Sequence, residues 1–231
     1  MFSYRQIINA FTSETESRMV KRLIAGILIW YFIDTFLFFV IGITTSDLQA
    51  LITGVFLIFW LILTSYVSKW SEKSEFVQNH FSVAYLVLVL TLAFIEETIV
   101  YFNGGGLGGK AVSLIQDILL AVPVFVGIAF GLIILNHWMD LFTEEFFVLG
   151  AIQGFIVEII IAGNFGLMWF LGGPALGIYG AMMAAAKKKE TSSVATGKHI
   201  FLVLTIGTIL CFITTVAGAI FGDTIYSLLV E

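Results

Sequence analysis

The hydrophobic positions of this chain fall into seven long blocks of roughly 18 or more residues with few charges. They run at about 22–44, 48–68, 81–102, 112–135, 143–163, 165–186 and 199–222. At ~1.5 Å rise per residue, each block is long enough as a helix to cross a hydrocarbon core of ~30 Å. Backbone facing lipid must satisfy its own hydrogen bonds, which selects helices. The pattern therefore predicts an all-α, polytopic membrane protein: about seven transmembrane helices in one domain over 21–231, preceded by a segment 1–20. That segment mixes apolar and aromatic residues with polar ones and suits either a short interfacial helix, with breaks at Thr12 or Ser13, or a cytoplasmic tail.

Composition agrees with the pattern. Of 231 residues, 59% are hydrophobic and 12% charged, too apolar for a domain whose surface meets water. The first block is long, follows about twenty polar residues and lacks a small-residue cleavage pattern, so it reads as a retained helix. The single cysteine, Cys211, lies inside an apolar block and reads as a small buried hydrophobe.

The basic residues set an orientation. Arg5, Arg18, Lys21 and Arg22 precede the first block, Lys69 and Lys73 follow the second, and Lys187, Lys188, Lys189 and Lys198 separate the sixth from the seventh. With seven spans these all fall on one face and only Lys110 on the other, which predicts a cytoplasmic N-terminus, an outside C-terminus and a multi-pass cell-membrane location.

That topology gives depths to the acids. Asp34 falls near the middle of the first span. Glu96 and Glu97 fall in the outer half of the third, Asp117 near the outer end of the fourth beside Gln116, and Glu158 in the outer half of the fifth above Gln153. Apart from Arg22 at the edge of the first, no Lys or Arg lies within any predicted span. A carboxylate at mid-bilayer costs at least ~2.5 kcal/mol and normally faces a bundle interior or a water-filled cavity. Five acids without a basic partner at that depth point to cation chemistry, with a proton or a metal ion as the neutralising charge; a metal ion is the candidate cofactor. Asp34, Glu96, Glu97, Asp117 and Glu158 are the candidate cation-binding or proton-relay residues, with Asn103, Gln116, Gln153 and Asn164 in support.

Each feature also has a plainer reading. Asp34 and Asp117 are equally suited to interhelical hydrogen bonds, and adjacent Glu96 and Glu97 point about 100° apart, so both face inward only over a wide angle. Small residues four apart, such as Gly127 and Gly131, Gly150 and Gly154, and Gly173 and Gly177, are ordinary devices for close helix packing. Glu158 shares its stripe with Gly150 and Gly154 and so points into the bundle. Pro123 and Pro174 permit kinks. The run "NGGGLGGK" at 103–110 follows no strand, which makes it a flexible connector or a lid over the outer mouth rather than a phosphate loop.

The opposite face carries "NHWMDLFTEEFF" at 136–147, an acidic segment with His137, Asp140, Glu144 and Glu145 and no basic residue of its own. Thr143 as a cap, with acids in the first turn, explains part of it. The remainder reads as a titratable cytoplasmic mouth.

The pair Glu96–Glu97 is similar to the first motif of the CAAX-protease and bacteriocin-processing family of membrane metalloproteases, a Glu pair followed by Arg and later His-containing motifs. This chain has "IVYFN" where the Arg is expected and neither FxxxH nor HxxxN downstream; His137 with Asp140 is the nearest substitute and is predicted on the other face. An intramembrane hydrolase is therefore the alternative function, and an accessory subunit of a larger membrane complex a third. The bilayer is the expected partner, a homo-oligomer or larger assembly is compatible, and nucleic acid is not. Three His, none mid-span, disfavour haem and copper subunits, and the seventh block has no Lys for a retinal Schiff base.

Overall fold

The computed structural model describes residues 18–104, 111–158, 168–187 and 197–230, all of whose regular structure is helical. The helices are α1 (Arg18–Thr45), α2 (Leu48–Lys73), the short α3 (Glu75–Asn79), α4 (Phe81–Phe102), α5 (Leu114–Met139), α6 (Thr143–Ile156), α7 (Met168–Ala186) and α8 (Gly197–Val230). Their boundaries follow local chemistry. Asp47 opens α2 by accepting from the backbone N–H of Gln49 at 2.9 Å and Ala50 at 3.2 Å, and Ser113 opens α5 by accepting from Gln116 N–H at 3.1 Å. At the far end of α5, Asp140 takes a left-handed conformation with φ 48°, which stops the helix.

Several predicted limits move. Helix α1 begins at Arg18, so the last residues of the segment 1–20 are helical, and residues 1–17 lie outside the described part. Helix α2 continues to Lys73, α5 to Met139 and α8 to Val230. The predicted blocks ended where apolar residues ended, whereas a helix continues until a cap stops it. Thr143 is the first helical residue of α6 rather than its cap. Glu145 instead reaches back to accept from Phe142 N–H at 2.9 Å.

Five helices are long and apolar enough to cross a membrane: α1, α2, α4, α5 and α8. The other two, α6 and α7, are shorter in their described parts and have a different character. Nearly all of α6 is buried, and residues 172–187 are buried without interruption. Helices α1, α2, α4, α5 and α8 pack around this pair. Their outward faces, with Ile29, Phe36, Ile43, Phe59, Val87 and Ile213 exposed, are as apolar as the interior, as lipid requires.

Antiparallel contacts fix which ends meet. Gly173 and Gly177 of α7 lie against Asp34 and Tyr31 of α1, Gly150 and Gly154 of α6 against Met183 and Tyr179 of α7, and Gly222 and Gly207 of α8 against Leu119 and Leu135 of α5. The Asn103 amide donates to the Gln49 carbonyl at 3.2 Å and to Thr53 Oγ1 at 2.5 Å, tying the end of α4 to the start of α2. Every described Lys and Arg, namely Arg18, Lys21, Arg22, Lys69, Lys73, Lys187 and Lys198, then falls at one end of the bundle, the lysine end. Glu96, Glu97, Asp117 and Glu158 fall toward the other, the carboxyl end.

Candidate functional site

Helix α4 buries the stripe Tyr85, Val89, Leu92, Ala93, Glu96 and Glu97. Its four-residue and three-residue spacings carry the two glutamates into the interior together, with 6% and 7% of their surfaces exposed. Both therefore face the bundle, more inward than a 100° separation suggested, because α4 is enclosed by α5 on one side and α7 on the other. The two carboxyls lie within interaction range of each other. Glu96 Oε2 has no hydrogen-bond partner among the described residues.

Around this pair stand other acids. Asp117, in the first turn of α5 and fully buried, and Glu158, just past the end of α6, both lie within electrostatic reach of Glu96 and Glu97. Two tyrosines complete the cluster. Tyr179 of α7 lies within reach of Glu96, Glu97 and Glu158, its ring stacked on Phe125 at 4.7 Å, and Tyr31 of α1 lies within reach of Glu96. The Tyr31 hydroxyl donates to the Leu57 carbonyl at 2.8 Å. Helices α4, α5, α6 and α7 thus bring four of the five predicted acids into one cluster.

The fifth acid plays a different part. Asp34 accepts from the backbone N–H of Gly173 at 3.1 Å and from the Trp30 side chain. Gly173 precedes Pro174, and a Cβ on it would run into Asp34 Oδ2 and the Trp30 ring, so the carboxylate seats α7 against α1 at a point open only to glycine. Asp34 is not among the groups that act on Glu96 or Glu97. The predicted supporting residues also disperse. Asn103 fastens α4 to α2, Gln116 accepts from Val112 N–H at 2.8 Å at the start of α5, and Gln153 Nε2 donates to the Thr208 carbonyl of α8 at 3.1 Å. Asn164 and residues 105–110, most of the glycine run, lie outside the described part.

The predicted inner-face cluster divides. His137 and Asp140 are exposed, and α5 ends between them, so they do not form a helical HxxD pair. Glu144 and Glu145 are buried, 1% and 2% exposed. Lys187, read as one of a run of cytoplasmic surface lysines, is itself buried, and its Nζ donates to Asn136 Oδ1 at 2.9 Å and sits over the rings of Phe81 at 4.7 Å and Phe146 at 5.1 Å. One side chain leaving α7 therefore touches α4, α5 and α6.

The same face of α7 joins both clusters in steps of four residues: Tyr179, Met183, Lys187. Met183 sulfur accepts from the Tyr85 hydroxyl at 3.1 Å, and Tyr85, Phe81 and Phe146 form a mutual aromatic contact with centroids 5.3, 5.4 and 6.2 Å apart. These rings fill the interior between the glutamates and Lys187. Sequence reasoning missed Tyr31, Tyr179 and Lys187. For Tyr179 a signal existed, a lone phenol in the small-residue helix "GGPALGIYGAMMAAA"; for Lys187, nothing separates it from its two lysine neighbours.

Two chemistries can be compared with this geometry. Among the described residues, no three His, Cys, Asp or Glu side chains converge as metal ligands would. The hydrolase alternative needs His137 beside the Glu pair. Asp117, which is beside the pair, lies twenty residues from His137 on α5, or ~30 Å along the helix, so one active site cannot hold both. Comparisons with protein-family models, with curated proteins and with solved structures return no match for this chain.

Proposed function

We propose that this chain is a multi-pass cell-membrane protein of seven spans, N-terminus cytoplasmic, that binds and moves a cation, the proton, through the carboxyl cluster of Glu96, Glu97, Asp117 and Glu158. The observation that carries the reading is the burial of adjacent Glu96 and Glu97 in the bundle interior, within interaction range of each other. Such a pair shares a proton because two like charges at that separation cannot both stay ionised, and it takes up or releases that proton when its surroundings change. The other charges acting on the pair are also carboxyls, so the exchangeable counter-charge is the proton itself. Tyr179, within reach of three of the four acids, supplies a hydroxyl to the same group. The seven-span count is supported by the antiparallel order of α1, α2, α4, α5, α6, α7 and α8. The orientation is supported by the gathering of basic residues at the lysine end, which belongs on the cytoplasmic side. Partners beyond the lipid bilayer are not required by this reading.

The test is proton uptake into proteoliposomes under an imposed membrane potential. Glu96→Gln keeps the shape and hydrogen-bonding capacity of the side chain and removes its exchangeable proton. It should cut uptake about a hundredfold or more, the size of effect expected for a positioned proton-transfer group. Wild-type uptake in both Glu96→Gln and Glu158→Gln would sink the proposal.

A further inference from the structure

Gln153 is the polar residue at the middle level of α6, between Glu145 at the lysine end and Glu158 at the carboxyl end, and it is fully buried. Its amide orientation is fixed by its partner: Nε2 donates to the Thr208 carbonyl, and a flipped amide would set two acceptor oxygens against each other. The carbonyl oxygen Oε1 therefore points elsewhere, and it has no hydrogen-bond donor among the described residues. Glu96 Oε2 is in the same condition one level up. A buried acceptor without a donor is costly, and such groups in protein interiors are normally satisfied by an ordered water when no side chain serves.

The spacing gives that water a use. From Glu145 to Gln153 is eight residues, ~12 Å along α6, and from Gln153 to Glu158 is five, ~7.5 Å. Neither interval is closed by a direct hydrogen bond of ~3 Å. Beside them, the interior between the glutamates and Lys187 is filled on the α4 and α7 side by Tyr85, Phe81, Phe146 and Met183. Gln153 faces the other way, toward α8, where Thr208 meets it. A proton leaving the carboxyl cluster for the lysine end meets an acceptor without a donor on this side of α6, whereas on the aromatic side the Tyr85 hydroxyl is already engaged with the Met183 sulfur.

We propose that Gln153 holds a water molecule, or its protonated form, at mid-membrane and so positions the proton path between the carboxyl cluster and Glu145. The inference rests on the proton reading of the carboxyl cluster. Gln153 neither gains nor loses a proton in this role; its Oε1 accepts from the water, and the water carries the charge.

The experiment compares Gln153→Met, Gln153→Glu and Glu96→Gln in proton uptake by proteoliposomes, with the thermal midpoint of each purified variant in detergent. Gln153→Met keeps the length and removes the acceptor, and it should slow uptake about tenfold or more. Its thermal midpoint should change by no more than a few degrees, since Met fills the same volume and the lost hydrogen bonds are those to Thr208 and to the water. Gln153→Glu keeps an acceptor at the same place and should retain most of the uptake. Wild-type uptake in Gln153→Met with Glu96→Gln inactive overturns the inference and leaves the carboxyl reading standing. Loss of uptake and of thermal midpoint together in Gln153→Met, with no rescue by Gln153→Glu, makes Gln153 a packing residue and overturns it too. Wild-type uptake in Glu96→Gln as well removes the carboxyl reading and this inference with it.

Discussion

Buried acids stand at both ends of this bundle, in different company. At the carboxyl end, Glu96 and Glu97 are buried side by side and feel each other, Asp117 and Glu158. At the lysine end, Glu144 and Glu145 are as deeply buried, but the same end holds the ammonium of Lys187, fixed by Asn136 and two aromatic rings. A buried cation held by an amide acceptor and ring faces ties helices together. A carboxyl pair holds together only while it keeps a proton, and that proton is exchangeable. Burial alone therefore does not mark function in this molecule; what surrounds the buried charge does.

The difference can be broken most directly at Lys187. Lys187→Met keeps much of the apolar stem while deleting a hydrogen bond from a charged donor and contacts with two rings, and should cost on the order of 3 kcal/mol. The readout is a lowered thermal midpoint in detergent; an unchanged midpoint would show that the lysine end is no more structural than the other. The seam between the two clusters comes next. A Cβ on Gly177 would strike the Tyr31 ring, so Gly177→Ala should displace that ring at a cost of about 1–3 kcal/mol, read by the same melting curve and by lowered proton uptake. Melting like wild type would mean that α7 shifts freely against α1. The smallest effect is expected at the carboxyl end. Glu97→Gln replaces the shared proton with an amide N–H that can still donate to Glu96, so stability should change by no more than about 0.5 kcal/mol, in either direction, while uptake falls. A melting-point drop as large as that of Lys187→Met would turn the carboxyl pair into a structural clamp and erase the comparison.

Much of the fold was legible because lipid leaves the sequence few choices. Long apolar blocks become helices, and the described helices coincide with the predicted blocks at their starts within a few residues. The candidate site was legible in part, for a reason that differs residue by residue. Glu96, Glu97, Asp117 and Glu158 could be grouped because an acid in an apolar block must face inward. Asp34 obeys the same rule and yet serves a backbone N–H of α7, since facing inward does not say toward which neighbour. Gln116 and Asn103 were placed at the right level and turn out to fasten helix ends, where free backbone groups compete for them. The cysteine was read as a small buried hydrophobe, and it is buried and free.

The sequence by itself determined that this is an all-helical chain for a membrane, that its described basic residues collect at one end, and that acids stand within its apolar blocks. These follow from hydropathy, length and charge count, which act locally. Only the tertiary structure decided that α6 and α7 form the interior, that Glu96 and Glu97 both face it, and that Lys187 leaves its lysine-rich neighbours to lie under two aromatic rings. Those outcomes depend on which helix lies beside which, and in lipid that is set by close contacts such as Gly173 on Asp34 and Gly177 on Tyr31, between residues distant along the chain.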